Sequence, residues 1–169
     1  MKTLNGFGDV RFRVPGKEVK KTDLDGTFKN EKSWRKYPDK VWSKVVKGEK
    51  GNQLEFGYEN LSWGGVRSSK SFLLEENQQA VFTFTVRGKG TLFAGAGWNN
   101  SGGKFAANSP QGVGHMLTEK PQTFRHVITR SPILAGKGAF RFYPALFLQP
   151  PGGKAVVENL SLSIEPLKK

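Results

Sequence analysis

The chain has 169 residues, a formal net charge of +13 and no cysteine. This length suits one domain, residues 1–169, that buries most of its apolar surface. The absence of cysteine excludes disulfide bonds and zinc–thiolate sites, but it does not fix the cellular compartment. The basic excess is spread over both halves of the chain, and it raises the hypothesis of a polyanionic partner, either nucleic acid or an acidic polysaccharide.

The first residues, MKTLNGFGDVRFRV, contain no apolar segment of the kind found in a signal peptide. No later stretch is long and apolar enough to span a bilayer. We therefore expect either a cytoplasmic protein or a module taken from a longer exported protein.

Alternation of apolar and polar residues predicts short strands along most of the chain. The clearest segment, residues 80–100, is predicted to form two strands joined by a Gly-Lys-Gly turn. In its first strand, apolar side chains alternate with polar ones from Phe82 to Val86, the pattern of a half-buried strand. Gly88 and Gly90 supply the positive φ that a short hairpin connection needs.

The other predicted strands are bounded by clusters of Gly, Pro, Asn or Ser. They cover residues 4–14, 24–29, 41–47, 53–58, 65–74, 114–118, 123–129, 139–148 and 155–165. Residues 30–40 are predicted to form an exposed loop, because Pro38 would break a helix there, and the run SGGKFAANSPQGVG is also predicted to be a loop. Many short strands without a substantial helix favour an all-β fold, an antiparallel two-sheet β-sandwich of jelly-roll type.

Three segments, in this order, resemble a known family. They are LDGTFKN followed by the strand with Trp42, then SFLLEENQQAVFTFTVRGKG, and finally GGKAVVENLSLSIEP. Together they resemble the β-jelly-roll carbohydrate-binding modules, the galactose-binding-domain-like group appended to bacterial glycoside hydrolases. The resemblance covers residues 24–165 and implies a secreted, non-catalytic protein that binds polysaccharide.

The same resemblance bears on metal binding. In that family, acidic residues of the opening and closing strands commonly hold a structural calcium ion, which prefers oxygen ligands. Here Lys29 stands where a glutamate is expected after Phe28, and Glu158-Asn159 replaces an acidic pair. Asp25 and Glu158 remain as candidate ligands. No cofactor is required, and the resemblance implies a structural calcium ion.

A sugar ring has C–H faces that stack on aromatic rings and hydroxyl groups that need polar partners, so a binding face needs exposed aromatics beside amides or charged groups. Trp98, Asn99 and Asn100 satisfy this at the end of the second hairpin strand. The small residues before Trp98 leave the strand surface low enough for a ligand to lie on it. The alternative is that Trp98 closes the end of the core and the amides cap a turn.

The other tryptophans are assigned from their local sequence. Trp63 lies among glycine-rich turn residues, a setting that fits both the edge of the core and a binding site. Trp34 and Tyr37 are predicted to be exposed, whereas Trp42, inside a strand, is predicted to be part of the core.

A last pair of candidates comes from the run AFRFYPALFLQ. If Phe140 and Phe142 face the core, alternation places Arg141 and Tyr143 on the outer or concave face, where they can meet a ligand.

Catalysis has little support. A glycosidase needs two carboxyl groups beside the scissile bond, yet the only acids between residues 80 and 164 are Glu119 and Glu158. His115 and His126 lack a third ligand or a short metal-binding spacing. No serine lies in a G-x-S-x-G motif, and no nucleotide-binding glycine motif precedes a helix.

Three hypotheses of function follow. The first is a non-catalytic carbohydrate-binding domain for an anionic or sulfated polysaccharide, part of a larger extracellular or periplasmic protein with a catalytic domain. The second is a ligand-free jelly-roll domain with a structural or protein-interaction role. The third is binding of polyanions or nucleic acid through residues 29–50, where basic and aromatic side chains alternate.

Overall fold

The computed structural model describes residues 19–61, 63–99, 103–129, 140–150 and 152–167, with only the backbone for residues 105–113 and 152. Within these ranges the chain forms twelve strands and one short 3-10 turn, Glu31–Ser33, and contains no α-helix. The strands are β1 (Lys20–Lys21), β2 (Trp34–Tyr37), β3 (Trp42–Gly48), β4 (Gly51–Glu59), β5 (Gly64–Ser68), β6 (Phe72–Leu74), β7 (Gln78–Lys89), β8 (Thr91–Asn99), β9 (Phe105–Met116), β10 (Gln122–Ile128), β11 (Phe140–Leu148) and β12 (Gly152–Pro166).

The strands form two six-stranded sheets. Sheet A has the order β10-β7-β12-β4-β3, and β1 also pairs with β12. Sheet B has the order β2-β5-β11-β8-β9, and β6 also pairs with β11. Every pairing is antiparallel. The all-β, two-sheet jelly-roll sandwich predicted from the sequence is confirmed.

Alternate residues of both sheets meet in one apolar core. Sheet A contributes Phe82, Phe84 and Val86 from β7, and sheet B contributes side chains from β8 and β11, all of them inaccessible to solvent. Tyr58 of sheet A crosses this core, and its hydroxyl donates a hydrogen bond of 2.6 Å to the carbonyl oxygen of Leu148 in sheet B. The two sheets are therefore joined by a polar contact as well as by packing.

The predicted hairpin of residues 80–100 is present as β7 and β8. Its turn glycines have the positive φ expected of them, 147° at Gly88 and 114° at Gly90. The strands predicted at residues 41–47, 53–58, 123–129, 139–148 and 155–165 match β3, β4, β10, β11 and β12 to within a few residues. Residues 65–74 divide into β5 and β6.

Three local predictions are wrong. Residues 24–29 form a turn instead of a strand, because the Asp25 carboxylate accepts hydrogen bonds from the backbone amides of Lys29 and Asn30 at 3.1 Å each. Residues 30–40 include β2, which pairs with β5, so they are not a loop throughout. The predicted loop SGGKFAANSPQGVG lies mostly in β9. The strand predicted at residues 4–14 lies outside the described residues.

No helix in the described part of the chain has the length and apolar character needed to cross a membrane.

Candidate functional site

The outer face of sheet B carries a group of aromatic and polar side chains. Alternation in β11 explains how they arise: Phe142, Leu146 and Leu148 point into the core, so Tyr143 and Phe147 point outward. The prediction that Tyr143 faces outward is confirmed.

The floor of this face is made of small residues. Gly95 and Gly97 of β8 face outward because the alternating residues, including Trp98, are in the core. Across the sheet, Gly97 is in register with Tyr143 and Gly95 with Ala145. Gly65 of β5 is in register with both Phe147 and Tyr37. The small residues of this floor are buried although they face outward; they are Gly65, Gly95, Gly97 and Ala145. The larger side chains beside them therefore extend above a flat, low surface.

Arg67 of β5 lies between two aromatic rings on this face. Its guanidinium carbon is 5.4 Å from the ring centroid of Tyr37 and 5.4 Å from that of Tyr143. Both distances are within the range of a cation–π interaction. Asn99 of β8 extends the group, since its side-chain nitrogen donates to the Tyr143 hydroxyl at 3.4 Å.

A second set of ring contacts lies beside the first. The Trp63 ring is 5.3 Å from the Tyr37 ring and 5.7 Å from the Phe147 ring, measured between centroids. We name the group of Tyr37, Trp63, Arg67, Asn99 and Tyr143 the sheet B platform. It combines aromatic surfaces with an amide, two phenol hydroxyls and a guanidinium, which are the groups that a sugar chain needs for stacking and for hydrogen bonding.

Sheet B is also basic in character. In the part of the chain that the structure describes, none of its six strands contains an aspartate or a glutamate. Arg35 of β2 stands directly opposite Arg67 of β5. The outer face of sheet B therefore presents two guanidinium groups on adjacent strands.

Most of the predicted site residues are brought together here. Asn99, Trp63, Tyr37 and Tyr143 lie in the platform, and Tyr37 is 37% exposed, as predicted. Arg141 is exposed on the same face as Tyr143, and one of its guanidinium nitrogens lies 3.4 Å from the Ser71 hydroxyl. Asn100 lies outside the described residues.

Two predicted site residues are instead part of the core. Trp98 is fully buried and packs against Phe142 at 5.5 Å between centroids, so the alternative assignment, a plug at the end of the core, is correct. Trp34 is 5% exposed, and its indole nitrogen donates to the carbonyl oxygen of Asp25 at 3.0 Å. Neither ring is available to stack on a ligand.

Sequence reasoning missed Arg67 and assigned Trp42 wrongly. The five residues of β5, Gly64–Ser68, contain the alternation that would have placed Arg67 outward, because Val66 is apolar and buried. Trp42 is 39% exposed instead of being in the core, because it begins an edge strand and faces away from sheet B.

The structure weakens the hypothesis that residues 29–50 bind nucleic acid, because Trp34 is buried and cannot stack on a base. These residues are divided between β2 at the edge of sheet B and β3 at the edge of sheet A, and Trp34 between them is buried. The remaining aromatics therefore belong to two different sheets.

The residues expected to hold calcium are each engaged elsewhere. Burial disfavours the charged form of Asp25, but the amides of Asn30 and Lys29 donate to it and lower its pKa. Glu158 lies 3.6 Å from Arg87 on sheet A. Among the described residues no group of three His, Cys, Asp or Glu side chains is placed to hold a metal ion. Calcium binding through Asp25 and Glu158 stays a prediction.

Comparison with protein-family models found no matching family, and comparison with curated protein sequences found no match. Solved structures with the same fold are mainly carbohydrate-binding modules. The CBM22-1 xylan-binding domain of Paenibacillus barcinonensis is 11% identical with a TM-score of 0.59, and the alignment covers 93% of this chain and 99% of that chain. A family 11 carbohydrate-binding module of Clostridium thermocellum, in complex with a mixed-linked tetrasaccharide, is 18% identical with a TM-score of 0.57, covering 89% and 98%.

The same fold also occurs in a protein of another kind. A Stig cyclase of Fischerella is 11% identical with a TM-score of 0.59, and the alignment covers 89% of this chain and 100% of that chain. At these identities the likeness shows the jelly-roll fold, and the function has to be argued from the site.

Proposed function

We propose that this chain is a non-catalytic carbohydrate-binding module that holds a glycan on the sheet B platform. The observation that carries the proposal is Arg67 fixed between the rings of Tyr37 and Tyr143 above a floor of glycine and alanine. Rings on such a floor offer flat stacking surfaces, and the guanidinium, the Asn99 amide and the phenol hydroxyls offer hydrogen bonds to sugar hydroxyls. The carbohydrate-binding modules that share the fold support the same class of ligand.

The ligand that suits this face best is an anionic polysaccharide, carrying carboxylate or sulfate groups. Arg35 and Arg67 stand opposite each other on adjacent strands, and the strands of sheet B, as far as they are described, contain no aspartate or glutamate. A guanidinium presents paired N–H donors that match the geometry of an oxyanion. The overall charge of +13 would attract such a polymer at longer range.

A binding role suits the platform better than catalysis does. Glycoside hydrolysis uses two carboxyl groups beside the bond that is cleaved, whereas the described side chains of the platform are aromatic, amide and guanidinium groups. We propose that the chain serves a larger extracellular or periplasmic protein, holding a catalytic domain close to its polysaccharide.

Affinity electrophoresis tests the proposal with three polymers: polygalacturonic acid, a sulfated carrageenan and a neutral mixed-linked β-glucan. We expect retardation by at least one polymer, strongest for an anionic one. Arg67→Ala removes a charge-assisted contact, so we expect its affinity to fall about tenfold or more.

The matched control is Arg125→Ala. Arg125 is an exposed arginine of sheet A, 3.6 Å from Glu165, and its loss changes the net charge by the same amount. The proposal is wrong if no polymer retards the wild-type protein, or if both variants lose affinity equally. The first result would favour a ligand-free structural domain, and the second would indicate non-specific attraction to charge.

A further inference from the structure

The outer face of sheet A carries an exposed tryptophan of its own. Trp42 is the first residue of the edge strand β3 and is 39% exposed. Its cross-strand neighbour is Gly57 of β4. In β4 the residues Phe56 and Tyr58 are buried in the core, so Gly57 faces outward between them, on the side of the molecule opposite the sheet B platform.

The Trp42 ring rests on the backbone of Gly57. A Cβ atom at position 57 would lie 2.3 Å from the carbonyl oxygen of Gly153 and would come within 2.9 Å of Cζ2 and 3.1 Å of Cε2 of the indole. Only glycine leaves room for the ring to lie this close to the strand, and the part of the ring that does not rest on it is open to solvent. The same pairing occurs in the sheet B platform, where Tyr37 is in register with Gly65.

Charged groups lie near the indole on the same face of sheet A. The Lys44 ammonium is 6.0 Å from the Trp42 ring centroid. Glu55 lies 3.5 Å from Lys44 and 3.3 Å from Lys154, and its side chain is only 12% exposed. Lys154 is in register with Gly57 on the side away from Trp42. One nearly buried carboxylate thus pairs with the Lys44 ammonium beside the ring and with the Lys154 ammonium on the strand beyond Gly57.

We infer that Trp42, Lys44, Glu55 and Lys154 form a second carbohydrate contact, which takes one sugar unit by stacking on the indole and by hydrogen bonds from the two lysines. The inference rests on the proposed function in one respect only, that the ligand is a carbohydrate. An aromatic ring over a strand glycine also stabilises the sheet, but that role needs no ammonium groups beside the ring.

The second contact faces away from the first, so the two engage different chains or distant segments of one polymer. Each alone is weak, and together they raise the effective affinity for a polymer or an insoluble glycan without a new contact to any single sugar. A short oligosaccharide occupies one site at a time and gains nothing from the second.

The experiment compares Trp42→Leu with the platform variant Arg67→Ala/Tyr143→Ala. Leucine still covers Gly57 but offers no flat ring. We expect Trp42→Leu to weaken binding to polygalacturonic acid by about threefold to tenfold, the range of one stacking contact, while its affinity for a short oligogalacturonate changes less than twofold. Met116→Ala, which removes an exposed apolar side chain elsewhere, is the control.

Light scattering gives a second readout, because a protein with two contacts cross-links dissolved polymer and a protein with one does not. Lys154→Gln serves if Trp42→Leu fails to fold, since it removes an ammonium charge from an exposed position. The inference is overturned if Trp42→Leu or Lys154→Gln binds and cross-links the polymer as the wild-type protein does. The proposed function stays intact in that case, because the platform is still active. A different result would contradict the platform as the main site and support the second contact: the platform variant binds polymer as tightly as the wild-type protein, and Trp42→Leu abolishes binding. A wild-type protein that binds no polymer contradicts both.

Discussion

Two tyrosine hydroxyls show how the same group has different roles in this molecule. The Tyr58 hydroxyl is buried between the sheets and donates to the Leu148 carbonyl at 2.6 Å. Burial raises the pKa of Tyr58 above its ordinary value of 10.0, so the hydroxyl stays protonated into more alkaline solution. The Tyr143 hydroxyl is on the outer face, where Asn99 donates to it. The first contact serves stability, and the second is available to a ligand.

Replacement of each hydroxyl should separate these roles. Tyr58→Phe leaves the Leu148 carbonyl without this donor in the core, and we expect the free energy of unfolding to fall by about 1 to 2 kcal/mol. Tyr143→Phe should change it by less than about 0.5 kcal/mol, because the position is only partly buried. Urea denaturation of both variants measures the difference, and equal losses would contradict the assignment.

The burial of Trp98 could not be read from its own strand. The residues before it, Ala94 to Gly97, are small on both faces, so they give no alternation that fixes which face is inside. The choice is made by pairing with β11, where Phe142 is opposite Trp98 and Tyr143 is opposite Gly97. Tyr143 could be placed correctly because its own strand alternates clearly.

At the scale of single elements, the loop-like sequence of β9 shows a second limit of sequence reasoning. This strand contains Pro110 and two glycines, which predict a loop. It lies at the edge of sheet B, and Pro110 is in register with Gly95. An edge strand tolerates proline because one of its sides has no hydrogen-bonding partner. The fold class followed from many short strands, whereas the two edge strands of sheet B, β2 and β9, could not be recognised.

The approach of β7 to β12 depends on a glycine whose role was only partly predicted. Gly88 was expected to provide positive φ, and it does, with a φ of 147°. It also lies so close to β12 that a Cβ atom there would be 2.0 Å from the Lys154 carbonyl oxygen. This contact comes from a distant strand and is invisible in the local sequence.

Gly88→Ala should therefore cost more stability than backbone strain alone. We expect a loss of at least about 2 kcal/mol in the free energy of unfolding. Gly51→Ala is the matched control, because Gly51 has a φ of 132° but nothing within 4 Å of the added Cβ. Thermal or urea unfolding compares the two, and an equal loss would show that the close approach to β12 carries no cost.

At the scale of the whole molecule, both histidines of the chain lie where the two sheets meet at β9 and β10. The His115 ring stacks on Phe124 at 3.9 Å and is 5.7 Å from the His126 ring. Burial lowers the pKa of both, and the charge of His115 lowers that of His126 further. The folded state therefore holds them neutral at a pH where the unfolded chain begins to protonate.

This linkage predicts the direction of the pH dependence. As the pH falls below the usual histidine value of 6.5, the unfolded state binds protons that the folded state does not, so the free energy of unfolding decreases until the pH passes below the folded pKa values. Urea denaturation between about pH 8 and pH 5.5 measures it. The variant His115→Gln/His126→Gln should flatten the slope. A wild-type stability that stays constant or rises on acidification would contradict the prediction.

The uneven placement of acidic residues has a kinetic consequence for the encounter with a polymer. In the described strands the carboxylates belong to sheet A, for example Glu55, Glu158 and Glu165, whereas the strands of sheet B contain none. Basic side chains lie on both sheets, among them Arg67 on sheet B and Lys44 and Lys154 on sheet A, so a long anionic chain is attracted to both faces and, among the described strands, meets carboxylates only on sheet A. Because this long-range attraction acts before contact, dissolved salt should slow the formation of the complex more than it speeds its breakdown.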